Sequence, residues 1–330
     1  MNVPSVDLPA RFALTARLAL SRFGITPTAR LALIHHRENA VFRVDDPGDG
    51  RAWALRVHRD GYRTSEEIRS ELAWMDALRA AGVPTPRALP GADGDALQLV
   101  APPGEARPLQ VDVLGWIDGA PLDARGDSPE LHRLVGRTSA LIQRHGRSWV
   151  PPPGFSRPTW DVDGLIGPRA LWGDYAELEA LAPTQLALLD RAADVVRRRL
   201  GAFGRAADRF GLTHSDLMPD NILVADGVPY VIDFDDGGYC WYLYDLATFL
   251  ADKVIDPAFD RVRDAWVAGY RSVAALPDEH VRELGVLVMA RLLLGLGWMH
   301  TRRETPLARG FTTVVIELAC AQAAKLAGER

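Results

Sequence analysis

Four polar residues in the second half of the sequence have the types and spacing that phosphate chemistry requires. His214, Asp216 and Asn221 lie in the stretch Leu-Thr-His-Ser-Asp-Leu-Met-Pro-Asp-Asn, and Asp233 follows soon after. Between Asn221 and Asp233 stands the pair Asp226–Gly227, which is typical of a two-residue hairpin turn. The pattern predicts two short strands that bring Asn221 and Asp233 side by side at the open end of a hairpin.

An amide oxygen beside a carboxylate is a set of hard oxygen ligands that suits Mg²⁺. Asp216 lies one short loop away from the same end. Phosphoryl transfer needs metal ions to neutralise phosphate charge, and it needs a carboxylate that orients the attacking hydroxyl and accepts its proton. The set therefore predicts an ATP- and Mg²⁺-dependent phosphotransferase. The alternative for Asp216 and Asn221 is a helix cap or turn without chemistry.

The first third of the chain must supply the elements that hold the nucleotide. Apolar periodicity and turn residues predict alternating short strands with one main helix. In chain order these elements are a helix at Pro9–Phe23, strands at Ala40–Val44 and Ala52–His58, a helix at Ser65–Ala81, and strands at Leu97–Val100 and Leu109–Leu114. This part is therefore expected to be a small sheet.

The character of the sequence changes near Gly115–Gly119, after which helical periodicity dominates. Ser128-Pro129 begins one helix, because proline is tolerated in a first turn, and several more helices fill 246–330. The fold class is predicted to be α+β. The predicted domains are a β-rich lobe at residues 1–115, which binds nucleotide, and a helical lobe at residues 116–330, which holds the catalytic loop and the acceptor.

The spacing His214-x-Asp216-x-x-x-x-Asn221, followed by Ile-Asp233-Phe-Asp, resembles the aminoglycoside phosphotransferase and choline kinase family, a branch of the two-lobed protein-kinase-like fold. The resemblance implies that Asp216 is the catalytic base and that Asn221 and Asp233 are magnesium ligands. It also implies that His214 supports the catalytic loop and that Asp245 braces it. The resemblance extends to homoserine-kinase-like enzymes and bacterial stress-response Ser/Thr kinases.

The same resemblance locates the nucleotide site in the first lobe. The stretch containing Asn39 is similar to the family's nucleotide loop, and Arg56 stands where these kinases carry a phosphate-binding lysine. Arginine neutralises phosphate as a planar fork rather than a point charge. Its expected partner is Glu71, which edges the buried face of the first helix, with Glu67 as second choice. Alternatively, Arg56 and Glu71 are ordinary solvated residues. The adenine is expected against Asp112–Asp118.

Composition narrows the class of partner. The net charge of −5 argues against nucleic acid, which favours a basic surface. Two cysteines, Cys240 and Cys320, cannot form a disulfide scaffold and are expected to be reduced thiols in the cytoplasm. The amino terminus does not resemble a signal peptide. The apolar stretch 284–300 contains Arg291 and is expected to be a buried helix, not a membrane span.

The acceptor is expected to be a small molecule. Only a short stretch separates Asp233 from Asp245, which leaves no room for a long activation loop. An amino alcohol, an amino acid type metabolite or an aminoglycoside fits the resemblance. Two alternatives are a bacterial Ser/Thr protein kinase and a nucleotide-binding scaffold without turnover, the latter suggested by Arg56.

Aromatic and acidic residues of the second lobe are candidates for holding a cationic amino group through ring faces and carboxylates. The tryptophans are Trp116, Trp160, Trp172, Trp241 and Trp298, and the acids are Asp161, Asp163 and Asp174. Asp235 and Asp236 either add to the site or lie in a solvated loop.

Overall fold

A computed structural model of the chain describes residues 8–36, 39–103, 107–122, 124, 126 and 128–328. The chain forms two compact units. The sheet unit comprises residues 1–119, 151–157 and 225–235, and the helical unit comprises residues 120–150, 158–224 and 236–330. A β-rich unit and a larger helical unit confirm the predicted α+β class. Two segments from later in the chain therefore belong to the sheet unit.

The sheet unit is built on one antiparallel sheet flanked by helices. The elements are helix α1 (Leu8–Ala19), strands β1 (Arg30–His36), β2 (Ala40–Asp45) and β3 (Ala52–Val57), helix α2 (Ser65–Ala80), and strands β4 (Leu97–Val100) and β5 (Leu109–Gly115). The strand order is β1–β2–β3–β5–β4. Strand β1 is not predicted from the sequence because most of its residues are exposed, which removes the apolar alternation that marks a half-buried strand.

The pleat of β3 decides where Arg56 lies. Leu55 and Val57 are fully buried in a core shared with Ala16 and Leu20 near the amino terminus. Because successive side chains of a strand point to opposite faces, Arg56 projects from the other face of the sheet. Packing of the core against one face of β3 thus determines that the Arg56 side chain lies on the other face.

Helix α2 begins with a capping box. The Thr64 hydroxyl accepts a hydrogen bond from the Glu67 backbone, and the Glu67 carboxylate accepts one from the Thr64 backbone. Thr64 is therefore the cap, and the helix begins at Ser65, where the sequence predicts its start. Ile68 and Met75 are fully buried on the face of α2 that also carries Glu71. The cap and this apolar face set the helical phase of Glu71.

The helical unit contains most of the remaining elements. These are β6 (Ala120–Pro121), α3 (Pro129–Ser148), α4 (Val162–Ile166), α5 (Pro183–Phe203), β7 (Phe210–Thr213), β8 (Ile222–Ala225, whose last residue belongs to the sheet unit), β10 (Gly238–Trp241), α6 (Tyr244–Leu250), α7 (Phe259–Arg271), α8 (Asp278–Val281), α9 (Leu284–Thr301) and α10 (Pro306–Gly328). Strand β9 (Val228–Val231) belongs to the sheet unit. The predicted turn at Asp226–Gly227 is confirmed, because both residues have positive φ, 50° and 78°.

Two helical segments of the described chain, Asp278–Thr301 and Pro306–Gly328, are long and apolar enough to pass a length-and-composition test for a membrane span. The first has 67% of its apolar window buried within the protein. Leu287, Met289 and Leu293 of α9 are fully buried. The apolar character of α9 therefore has a packing explanation, as expected for a core helix.

Candidate active site

Arg56 is held between two carboxylates of the sheet unit. Its Nη1 donates to Glu71 Oε1 at 2.8 Å, while Nε and Nη2 donate to Asp112 Oδ1 and Oδ2 at 2.8 and 2.7 Å. Arg56 is 5% exposed and Glu71 is fully buried, so neither is an ordinary solvated residue. The structure pairs Arg56 with Glu71, the partner that helical phase predicts, whereas Glu67 belongs to the helix cap.

Asp112 is a member of this cluster that the sequence analysis does not identify. It lies opposite Arg56 across the β3–β5 pair, and it also contacts His58 Nε2 at 2.7 Å. Burial would raise the pKa of the Asp112 carboxyl, but the charges of Arg56 and His58 outweigh burial and hold this pKa well below its ordinary value. Arg56 and Asp112 thus form a buried ion pair within the sheet unit.

The choice of arginine over lysine follows from this geometry. A guanidinium can bond three carboxylate oxygens in fixed directions, and an ammonium is a point charge that cannot match a bidentate partner. Arg56→Lys should leave Asp112 short of a donor and lower the free energy of unfolding by roughly 1–3 kcal/mol. Thermal or urea unfolding measures this loss. Unchanged stability would mean that the Asp112 contact is not needed.

Two arginines hold the backbone that directly follows Asp233. Asp233 has φ of 61°, in the left-handed region that is uncommon for residues other than glycine. Arg157 donates to the carbonyls of Phe234 at 2.7 Å and Asp235 at 2.6 Å, and Arg63 Nε donates to Asp235 O at 3.0 Å. These bonds fix the chain just beyond the Asp233 carboxylate.

Arg157 also reaches helix α2. Its Nη1 donates to Glu67 O at 2.8 Å and lies 3.8 Å from Glu71 Oε2. The Arg157 side chain is fully buried, and burial lowers the pKa of its guanidinium, which Glu71 partly offsets. Glu71 therefore stands between Arg56 and Arg157. One carboxylate links the cation of β3 to the cation that holds the Phe234 and Asp235 carbonyls.

Asp235 and Asp236 do not lie in a solvated loop. Both are buried, at 4% and 9% exposure. Phe234 is fully buried with its ring edge-on to Trp74, at a centroid distance of 5.4 Å. In the helical unit, the carbonyl of Asp236 accepts a hydrogen bond from Trp160 Nε1 at 2.7 Å. The backbone around these residues is thus fixed by buried contacts.

The loop at residues 214–221, in which the sequence predicts the catalytic residues, follows strand β7 in the helical unit. Strand β7 pairs antiparallel with β10, and Thr213 stands opposite Gly238. Ser215 has φ of 66°, and its backbone amide donates to Asp245 Oδ1 at 2.9 Å. Asp245 Oδ2 accepts hydrogen bonds from Ser139 and Gln143, each at 2.9 Å. Asp245 therefore braces the loop at its most constrained residue.

His214 is fully buried at the start of this loop. Burial raises the pKa of the Asp245 carboxyl, and the charge of His214 acts in the opposite direction. The position of His214 fits a role in supporting the loop.

Both carboxylate oxygens of Asp216 have donors. Asn221 Nδ2 donates to Asp216 O at 2.9 Å and to Asp216 Oδ2 at 3.2 Å, and Arg291 Nη2 donates to Asp216 Oδ1 at 2.7 Å. Burial raises the pKa of Asp216, Arg291 opposes this rise, and the charge of Asp236 adds to it. Asp216 and Asn221 are thus joined directly, which agrees with the prediction that both lie near one end of the hairpin.

Arg291 is a site residue that sequence reasoning missed. It is the only Lys, Arg, Asp or Glu in helix α9, and a lone charge in a buried apolar helix signals an oppositely charged partner. That partner is Asp216, and the guanidinium also lies over the Trp172 ring at 4.6 Å from its centroid. The sequence shows the anomaly but not the partner, which lies 75 positions away.

Trp172 is fixed against α9. Thr301 Oγ1 donates to Trp172 O at 2.8 Å, and the backbones of Gly173 and Gly297 lie so close that a Cβ on Gly297 would stand 2.1 Å from Gly173 O. The indole also meets Trp160 edge-on, at a centroid distance of 5.8 Å. Of the tryptophans proposed for a second-lobe pocket, Trp172 and Trp160 adjoin this cluster.

Other candidates for the acceptor pocket have structural roles. Trp241 is buried and donates to Gly204 O, while Trp116 belongs to the sheet unit. Asp161 caps α4 and pairs with an arginine, and Asp174 caps a short 3₁₀ helix. Because these two carboxylates already accept hydrogen bonds from helix termini, they are poor candidates for binding an amine of the acceptor.

The sheet unit also contains a cavity of about 490 Å³. Its lining residues are Arg43, Arg51, Ala52, Trp53, Arg87, Gly115, Trp116 and Asp118. Arg43 lies over the Trp116 ring at 4.9 Å from its centroid. The cavity overlaps Asp112–Asp118, where the adenine is predicted.

Asn39, the other predicted nucleotide contact, is buried and accepts a hydrogen bond from the Arg59 backbone at 3.2 Å.

Comparison with known proteins places these features in a family context. A model of the phosphotransferase enzyme family matches residues 31–283. A solved structure of a microcompartment-associated aminopropanol kinase is 34% identical, with a TM-score of 0.84 over 94% of each chain. A structure of amicoumacin kinase hAmiN in complex with AMP-PNP, Ca²⁺ and Ami shares the fold at 19% identity, with a TM-score of 0.75 over 92% of this chain and 91% of that chain.

Among curated sequences, the amicoumacin kinase of Bacillus subtilis is 23% identical over 233 residues. The match covers 70% of this chain and 65% of that protein. The chain thus spans slightly less than two thirds of this relative.

Proposed function

The chain belongs to the phosphotransferase enzyme family, and we propose that it transfers the γ-phosphoryl group of ATP to the hydroxyl of a small amino alcohol. The observation that carries this proposal is the partly buried Asp216 carboxylate, fixed through one oxygen by Asn221 and through the other by Arg291. A held carboxylate suits a reaction in which positioning and electrostatics supply most of the catalysis. Family membership alone does not identify an acceptor.

Asp216 is assigned as the base. The acceptor oxygen forms a bond to the γ-phosphorus, the bond from that phosphorus to the β-bridging oxygen breaks, and ADP leaves with the electron pair. The hydroxyl proton passes to an Asp216 oxygen. Ser215 and Asp245 hold the loop that presents this carboxylate.

Asn221 and Asp233 are assigned as ligands of Mg²⁺. Asn221 donates hydrogen bonds to Asp216 through its amide nitrogen, so its amide oxygen is the atom suited to bind a cation. Asp233 adds a carboxylate on a residue whose backbone has a positive φ. Hard oxygen donors fit Mg²⁺. When bound, the metal ion neutralises phosphate charge. The hAmiN complex, which contains AMP-PNP and Ca²⁺, supports a nucleotide with a divalent cation.

The nucleotide is assigned to the sheet unit. Arg56 provides positive charge for phosphate, with Glu71 holding its orientation. The cavity beside Gly115 and Trp116 is large enough for a purine base. Asn39 is assigned to the nucleotide loop. The pairing of Arg56 with Glu71 supports a role for Arg56 in turnover, and it weighs against the alternative of a nucleotide-binding scaffold without turnover.

The acceptor class follows from the charges around Asp216. Asp220 and Asp236 act on this carboxyl as like charges, and the opposing charges are those of Arg291 and, to a smaller extent, His214. Three carboxylates with one guanidinium favour an acceptor that carries an ammonium group. The 34% identity to an aminopropanol kinase supports the same class. We assign the reaction to the cytoplasm, where ATP is available.

The test is transfer from γ-labelled ATP, with and without Mg²⁺, to a panel of amino alcohols and to a protein extract. Each amino alcohol is paired with the amine that lacks its hydroxyl. The proposal predicts label in an amino alcohol and none in its paired amine. Label on protein serine or threonine would favour a protein kinase, and the absence of metal-dependent transfer would refute a kinase.

A further inference from the structure

An amino alcohol offers two groups to the partly buried Asp216 carboxylate. Its ammonium is a full positive charge, whereas its hydroxyl is a neutral donor, and the Coulomb attraction between two opposite charges adds to the hydrogen bond that the ammonium makes with a carboxylate. An Asp216 without a neighbouring cation would therefore bind the ammonium, and the hydroxyl would then lie away from the phosphate. The enzyme needs a feature that makes Asp216 take the weaker partner.

Arg291 has the position and charge for this purpose. Its Nη2 donates to Asp216 Oδ1 at 2.7 Å, and Asn221 holds Oδ2 at 3.2 Å. A cation already bonded to Oδ1 supplies the opposite charge that this partly buried carboxylate needs. It also repels a second cation, since like charges in a poorly hydrated site interact strongly. A neutral hydroxyl meets no such repulsion.

The guanidinium is held so that it remains there when an acceptor arrives. Arg291 lies over the face of Trp172 at 4.6 Å from the ring centroid. Trp172 is 8% exposed, and its backbone is bound to α9 through Thr301 and the close approach of Gly173 to Gly297. Cation–π attraction is stronger when both groups are desolvated. The stack therefore limits the freedom of Arg291 to leave Asp216.

We propose that Arg291 is a positioning and specificity residue that makes Asp216 accept the hydroxyl of a bifunctional acceptor instead of its ammonium. The proposal rests on the proposed function, since it concerns the orientation of that acceptor. It adds that the enzyme distinguishes the two ends of an amino alcohol because Arg291 repels the ammonium from Asp216, while other groups of the site attract it. Rejection by an unfavourable charge is a common source of specificity.

The experiment compares Arg291→Met and Arg291→Lys with the wild-type protein on 1-amino-2-propanol and on 1,2-propanediol, which lacks the ammonium. In Arg291→Met, kcat for the amino alcohol should fall about 100-fold, the loss typical of a misplaced reactant. The diol has no competing cation, so its kcat should fall less than about 10-fold. Arg291→Lys keeps the charge and should restore much of the preference for the correct orientation.

A binding measurement gives a readout independent of turnover. Calorimetric titration with 1-amino-2-propanol in the absence of nucleotide should give a several-fold lower Kd for Arg291→Met than for wild type, because Asp216 is then open to the ammonium. Arg147→Met is the matched control, since Arg147 also covers an aromatic ring, Tyr242 at 4.3 Å, in the same unit. This control should change neither the Kd nor the ratio of the two kcat values.

Two outcomes would overturn the inference. Equal losses of kcat on both acceptors would show that Arg291 has only a structural role, and so would an unchanged or weaker affinity for the amine. A wild-type protein that phosphorylates no amino alcohol would instead refute the proposed function. In that case the calorimetric comparison would still show whether Arg291 excludes cations from Asp216.

Discussion

Asp216→Asn is expected to reduce kcat by a factor of about 10²–10⁴, the usual contribution of a general base, while the Kd for ATP changes little. Asn has the shape of Asp but cannot accept the hydroxyl proton. Its amide also creates a conflict, because Arg291 and Asn221 both donate to Asp216 oxygens. One of these donors must then face the new NH₂ group. The change removes both the base and the hydrogen bonds that orient it.

Single-turnover kinetics with labelled ATP and equilibrium binding of ATP measure the two quantities separately. Asp226→Asn is the matched control, because it removes the same charge from an exposed turn ten positions along the chain. Its φ of 50° lies in a region that Asn tolerates. The control should retain wild-type kcat. A folded Asp216→Asn protein that has lost ATP binding, or that turns over normally, would contradict the assignment of Asp216 as the base.

The parts of the site that the sequence reveals are those encoded locally. The spacing from His214 to Asn221 defines one loop, and the turn at Asp226–Gly227 needs only two residues that tolerate positive φ. The prediction that Glu71 is the partner of Arg56 follows from the phase of one amphipathic helix. In each case the distances that matter are set by a single element and its period.

The residues that complete the site are held by contacts across the sequence. Asp112 meets Arg56 over a separation of 56 positions, Arg291 meets Asp216 over 75, and Arg157 meets Phe234 over 77. A charge in an apolar strand or helix indicates that a buried partner exists. Which partner it has depends on tertiary packing, which one sequence does not determine.

Arg157 gives the weakest signal of the three. It stands in the proline-rich stretch 151–158, where no periodicity points to a buried face. The structure assigns 151–157 to the sheet unit, although the flanking residues belong to the helical unit. A segment without regular structure thus supplies a guanidinium that satisfies three backbone carbonyls. Irregular segments can be as strongly specified as helices when a buried side chain anchors them.

Arg157→Met should therefore be among the most destabilising single changes in the sheet unit. It removes the donor from the carbonyls of Glu67, Phe234 and Asp235, and it takes a positive charge away from Glu71. Breaking a buried charged network costs about 3–5 kcal/mol. At roughly 2–4 °C for each kcal/mol, the melting temperature should fall by on the order of 10 °C.

Arg69→Met separates burial from charge. Arg69 also lies on the sheet unit and pairs with Asp95 at 2.8 Å, but its side chain is 46% exposed, and exposed pairs contribute only about 0–1 kcal/mol. The two variants lose the same charge, so the difference between their melting temperatures measures how much the burial of Arg157 and its bonds to carbonyl groups contribute to stability. Equal melting temperatures would mean that the backbone after Asp233 keeps its conformation without Arg157. At a temperature where Arg157→Met remains folded, a raised Kd for Mn²⁺, measured by paramagnetic resonance, would show that the three carbonyl bonds position Asp233 as well as stabilise the fold.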